Sequence, residues 1–150
     1  MGEFQLHILI DSSTKPGKYG KSTAFWWAFK DKIEGEPFRV GVIYNQIEGT
    51  NRIFYDGIIR ALEACFYISE VNRNIKIWGD NKLVIGQLKD EINVDKLEPL
   101  YNQVKKLESK YLEKKNVTIS YEYLNEQDEI YKKVDRCAKD FLNFLTQRIR

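Results

Sequence analysis

The chain is poor in the side chains that build soft metal sites: one histidine and two cysteines in 150 residues. Such a set cannot complete a four-ligand zinc site without carboxylates. Nor is there a disulfide framework of the kind small secreted domains carry, so a cytoplasmic, intracellular setting is expected. His7 falls in a strand pattern and reads as structural. Cys65 and Cys137 fall in apolar helical patterns and read as reduced core thiols. Charge of one sign is also lacking. The 24 Lys and Arg against 22 Asp and Glu leave a net charge of +2, too small to argue nucleic-acid binding by itself. No apolar run approaches the roughly 20 residues of a membrane span, and Met1, Gly2 and Glu3 open no signal-peptide pattern. Linkers, repeats and low-complexity segments are absent too. What remains is 43% apolar and 31% charged, which places the chain among globular rather than disordered proteins. One domain over residues 1–150 is expected, long enough to bury about two-thirds of its unfolded surface.

FQLHILID, positions 4–11, alternates with Phe4, Leu6, Ile8 and Ile10 on one face and predicts a strand. SSTKPGKYGKS, rich in Gly, Ser and Pro, predicts a turn after it. STAFWWAFKDKI and EPFRVGVIYNQI are aromatic and β-branched and predict two more strands, with a hairpin break at Glu34, Gly35, Glu36 and Pro37. Trp26 and Trp27 then point to opposite faces, one into the core and the other under a helix or toward a nucleotide. In TNRIFYDGIIRALEACFYISE the period changes, and Phe54, Ile58, Ala61, Leu62 and Cys65 share a helical face. NIKIWGD predicts a short strand, NKLVIGQLK a short helix, VDKLEPLYNQVKKLESKYLEKK a longer helix, NVTISYEYL a last strand and DEIYKKVDRCAKDFLNFLTQ a closing helix. The order β-β-β-α-β-α-α-β-α implies an α/β fold. Its five-stranded mixed sheet has three antiparallel strands, then helix-connected parallel ones, under helical cover.

Three acids fall at related places. Asp11 closes the first strand pattern and Asp80 the fourth. Asp80 has a local explanation as N-cap of the helix that follows. It also has a chemical one, because strand ends in α/β sheets are where ligand and metal sites are built. A right-handed crossover sets strands one and four parallel and adjacent, which brings the two acids side by side. Two carboxylates that close repel unless a cation is present or one is protonated. Hard oxygen donors of this kind suit Mg²⁺ or Mn²⁺. The third acid is Asp135, in a stripe with Tyr131, Ala138 and Leu142 beside the apolar face of the last helix. The alternative there is an ion pair with a neighbour such as Lys132 or Arg136. Lys105, Lys106, Lys110, Lys114 and Lys115 offer a phosphate-facing ridge, but Glu108 and Glu113 interleave, and an ordinary solvated helix is the better reading.

From about Phe4 to Leu145 the chain resembles ribonuclease H. The resemblance rests on ILIDSS with its Gly-containing turn, on GTNR before RALEAC, on WGDNKLVIGQL and on KKVDRCAKDFL. It implies a ribonuclease H-like sheet with helices on both faces. It also implies a metal-dependent endonuclease that cuts the RNA strand of an RNA–DNA hybrid, using two Mg²⁺ (or Mn²⁺) ions and four carboxylates. The alternative is a catalytically impaired domain that keeps hybrid binding. Asp11, Asp80 and Asp135 match three of the four carboxylates. Thr50 and Asn51 match the pair that approaches the RNA backbone, with Arg52 placed to add a phosphate contact. A monomer is expected, alone or within a larger nucleic-acid-processing assembly.

The fourth family carboxylate, a glutamate on the first helix, has no counterpart. Counting back from Ala61, Leu62 and Glu63 reaches Phe54, and counting forward from Thr50 and Asn51 reaches Tyr55. Asp56 is the nearest acid and the remaining candidate, although its rotation groups it with Arg60, Glu63 and Tyr67 on the solvent side. The mobile histidine that many family members carry before the last acid is also missing, with Glu126 or Glu129 as candidates for part of its role.

Overall fold

A computed structural model of the chain describes residues 4–15, 21–46, 49–68, 71–125 and 128–147. The elements, in order, are β1 (Phe4–Lys15), β2 (Lys21–Lys30), β3 (Arg39–Gln46), α1 (Thr50–Cys65), β4 (Val71–Gly79), α2 (Lys82–Leu88), α3 (Glu98–Lys115), β5 (Thr118–Tyr123) and α4 (Glu129–Gln147). Type and order are those the hydrophobic periodicity predicts. The strands form one sheet in the order β3-β2-β1-β4-β5. The first three are antiparallel, and β1–β4 and β4–β5 are parallel.

The alternation of β1 divides the core. Leu6, Ile8 and Ile10 face one way, into a cluster with Trp26, Ile75, Ile77 and the buried stripe of α1. Leu9 faces the other way with Phe29, Tyr131 and Val134, and Phe25, Trp27 and Trp78 pack against that group. Trp26 and Trp27 therefore do part to opposite faces. Helix α4 covers the Trp27 face over β1 and β2, while α1 covers the Trp26 face. The five α1 residues expected on one face, Phe54, Ile58, Ala61, Leu62 and Cys65, are all fully buried. Each large apolar side chain so buried contributes about 1.5–3 kcal/mol. Buried tyrosine hydroxyls tie the α1 side together. Tyr111 donates to the Leu62 carbonyl at 2.5 Å, and Tyr55 donates to Gln87 Oε1 at 2.7 Å.

The end of the first strand departs from expectation. The first strand does not end at Asp11 but continues to Lys15. Ser12, Ser13 and Thr14 read as turn residues, yet β2 offers them a ladder, pairing Ser12 with Ala24, Ser13 with Thr23 and Thr14 with Ser22. The Thr14 and Ser22 hydroxyls bond across it at 3.3 Å. The remainder of the expected turn, residues 16–20, lies outside the described residues. Because the β1–β4 pairing stops at Ile10 and Gly79, Asp11 still sits where the parallel part of the sheet ends. Among the described residues no helix is long and apolar enough to cross a membrane.

Candidate active site

The register that pairs Ile10 with Gly79 makes Asp11 and Asp80 the next residue on each chain. By alternation, Asp11 lies on the face of Leu9, and Asp80 on the face of Trp78, which is the face covered by α4. Asp80 is not the cap of α2. That role belongs to Asn81, whose Oδ1 accepts the Val84 amide at 3.0 Å. The local explanation for Asp80 is thus taken by its neighbour, and its carboxylate accepts from the Tyr131 hydroxyl instead.

Helix α4 brings two groups to these acids. The Tyr131 hydroxyl bonds Asp11 Oδ1 at 2.5 Å and also Asp80 Oδ1, with the Ile10 carbonyl 3.4 Å away. One turn on, Asp135 is half-buried and pairs with Lys139 at 2.8 Å. Its partner is therefore the residue four places along, not Lys132 or Arg136. Asp11 is 2% exposed, and its Oδ2 is buried with no hydrogen-bond partner. Burial pushes the Asp11 carboxyl up to about 8. Asp135 and Asp80 push the same way, and the Tyr131 hydrogen bond opposes them. The three predicted acids thus meet around Asp11, although among the described residues no three acids, histidines or cysteines form a ready-made cation cage. A tyrosine hydroxyl and a lysine ammonium take up part of the acid charge.

The two counts for the fourth carboxylate now separate. Phe54 is fully buried with its ring against the strand ends; a Cβ on Gly79 would lie 2.2 Å from Phe54 Cζ and 3.3 Å from the Ile10 carbonyl oxygen. Only glycine at 79 leaves room for that ring. Phe54 therefore packs against the residue before Asp80, from the α1 side of the sheet, while the two acids point to the α4 side. Tyr55 turns away toward α2 through its bond to Gln87. Asp56 turns toward β3, where Asn45 Nδ2 donates to its Oδ2 at 3.4 Å. Its neighbours at 60, 63 and 67 are exposed, as the helical rotation requires. Glu129 is exposed in the first turn of α4, and Glu126 lies outside the described residues.

Thr50, Asn51 and Arg52 form the first turn of α1, which follows Gly49 at a φ of 88°, a conformation glycine adopts at little cost. Asn81 Nδ2 donates to Asn51 Oδ1 at 2.9 Å, which links this turn to the residue after Asp80. Beside it a pocket of about 450 Å³ is lined by Thr50, Asn51, Arg52, Leu83, Gln87 and Lys96, among others. Three of the five lysines of α3 are engaged within the fold. Lys105 pairs with Asp90 and Glu108, and Lys110 and Lys115 lie over the Phe66 ring at 4.3 and 4.8 Å.

Sequence reasoning gave no role to Tyr131 or Asn81. Tyr131 stood in the Asp135 stripe, and Asn81 stood where an N-cap belongs. Both signals were present, but neither pointed to an acid.

Compared with solved structures, the chain is similar to the N-terminal RNase H domain of Rv2228c from Mycobacterium tuberculosis. The TM-score is 0.75 at 18% identity, over 96% of this chain and 99% of that one. The chain has the ribonuclease H fold. LC11-RNase H1, isolated from compost by a metagenomic approach, matches with a TM-score of 0.77 at 14% identity, over 97% of this chain and 99% of that one. RNase H1 from the halophilic archaeon Halobacterium salinarum matches with 0.69 at 21%, over 91% and 98%. No protein-family model matches the sequence, and no curated protein matches it. In the ribonuclease H fold of this chain, Asp11, Asp80 and Asp135 cluster at the strand ends and Phe54 lies beneath them.

Proposed function

We propose that this chain is a ribonuclease H-type hydrolase that cuts the RNA strand of an RNA–DNA hybrid with the help of Mg²⁺ or Mn²⁺. The observation that carries the reading is Asp11. Its buried Oδ2 receives no N–H or O–H donor, the Asp135 carboxyl comes within hydrogen-bonding reach of the same group, and Asp80 adds its charge. A buried, unsatisfied carboxylate oxygen beside two more acids costs free energy that a divalent cation offsets. The donor set is all hard oxygen, so it fits such an ion. Asp11, Asp80 and Asp135 would hold it, and when bound it supplies charge neutralisation at the phosphate and an acidified water.

The rest follows from the chain's own groups. Thr50, Asn51 and Arg52 meet the nucleic-acid backbone at the start of α1, beside the pocket. Asn81 holds that turn in register with Asp80. Trp78 and α4 close the other side of the acids and limit water there. LC11-RNase H1 has been solved in complex with an RNA/DNA hybrid, which supports the choice of substrate.

A second reading, hybrid binding with little or no cleavage, is favoured by the first helix, where both counted positions, Phe54 and Tyr55, carry a buried aromatic ring and no carboxylate. Cleavage of a hybrid labelled on one strand at a time tests both. The first reading predicts metal-dependent shortening of the RNA strand with the DNA strand intact. An RNA strand that is bound but uncut leaves the second.

A further inference from the structure

Tyr131 is buried, with 1% of its surface exposed, among Leu9, Phe29 and Val134. That packing asks for a ring and has no use for a hydroxyl. A buried hydroxyl nevertheless needs a partner, and this one finds two acids. It reaches Asp11 Oδ1 at 2.5 Å and also Asp80 Oδ1. One hydroxyl carries one proton, so it donates to one carboxylate at a time and draws both to a single point. Both contacts fall on Oδ1 atoms. The other oxygen of Asp11 is buried and receives no donor, its direction is set by the held one, and the Asp135 carboxyl meets the same group from α4.

We propose that Tyr131 is a positioning residue of the metal site: its hydroxyl clamps the Oδ1 atoms of Asp11 and Asp80 and turns Asp11 Oδ2 toward a divalent cation. This rests on the metal-binding reading above and adds to it a residue that is not itself a ligand. Partners that orient ligating carboxylates are worth about 10–100-fold in metal affinity.

The test is Mn²⁺ binding to the intact chain, measured by titration calorimetry and by the electron paramagnetic resonance signal of free Mn²⁺. The variant is Tyr131→Phe, which keeps the ring and so keeps the packing. The control is Val134→Ala, which opens the same cluster without touching an acid. Tyr131→Phe is expected to bind Mn²⁺ about 10–100-fold more weakly, while Val134→Ala loses thermal stability and keeps the parent's affinity. The melting shift that Mn²⁺ induces, compared within each variant, removes any general loss of stability. Unchanged affinity in Tyr131→Phe overturns the proposal. So does tighter binding, which would make the hydroxyl a competitor of the cation. A parent that binds no Mn²⁺ overturns the metal reading and this one together; a parent that binds, with Tyr131→Phe equal to it, overturns this one alone.

Discussion

Phe54 makes the sharpest residue-scale case. It is fully buried with its ring against Gly79, the residue before Asp80. A carboxylate introduced there would stand near the cluster. Phe54→Glu should raise hybrid cleavage by about tenfold, or about 1.4 kcal/mol of barrier. It should also lower the melting temperature, because it removes an apolar ring from the core and buries a charge. Asp56→Asn, changed at a residue turned toward Asn45, should leave cleavage at the parent level. Measuring rate and melting for both variants on one hybrid decides which position matters; loss of cleavage in Asp56→Asn would restore Asp56 as the ligand. Much of this site was legible in the sequence. Asp11, Asp80 and Asp135 were named from strand ends and a helix stripe. The choice between Phe54 and Tyr55 was not legible, because a one-residue difference between the two counts is about 100° of helix rotation. Only packing against the strand ends settles such a rotation.

Among the elements, α2 is short at seven residues, so its start counts for much of its stability. Asn81 caps it and also bonds Asn51 at the head of α1. Asn81→Ala should cost about 1 kcal/mol from the cap alone and loosen the Thr50–Asn51 turn from Asp80. Equilibrium denaturant unfolding checks the first effect, and affinity for an uncleaved hybrid checks the second. No change in either would show that the bridge is idle. Element type and order were readable because each segment holds one period, two or 3.6, over its length. The extension of β1 to Lys15 was not, because hydroxyl residues signal a turn locally and become strand only when a neighbouring strand pairs with them. The lysines of α3 make the same point: the sequence shows the charges and the interleaved Glu108, but Asp90 and the Phe66 ring meet them only in the fold.

For the whole molecule, the acid cluster couples folding to protons and metal. In the metal-free protein the Asp11 carboxyl lies at about 8 against an ordinary value of 3.8, raised mainly by burial. A raised carboxyl means the folded state binds the proton more tightly than the unfolded one. Its contribution is therefore fully present below about pH 4 and is lost as pH rises toward about 8. Thermal melts without metal should show this loss across that window, and the stabilisation by Mg²⁺ should be larger near pH 8 than near pH 5. A metal shift independent of pH would count against Asp11 as a ligand. The central claim is that three acids on a ribonuclease H fold suffice for metal-dependent cleavage. It is tested most directly by single-turnover cleavage of an RNA-labelled hybrid, with parent and Asp80→Asn compared in Mg²⁺ and in Mn²⁺. The parent is expected to give RNA products that chelation abolishes, and Asp80→Asn a rate lower by more than about a hundredfold, beyond the cost of losing an outer partner. A parent that binds the hybrid and leaves the RNA whole in both metals, or an Asp80→Asn variant that cuts as fast as the parent, would contradict it.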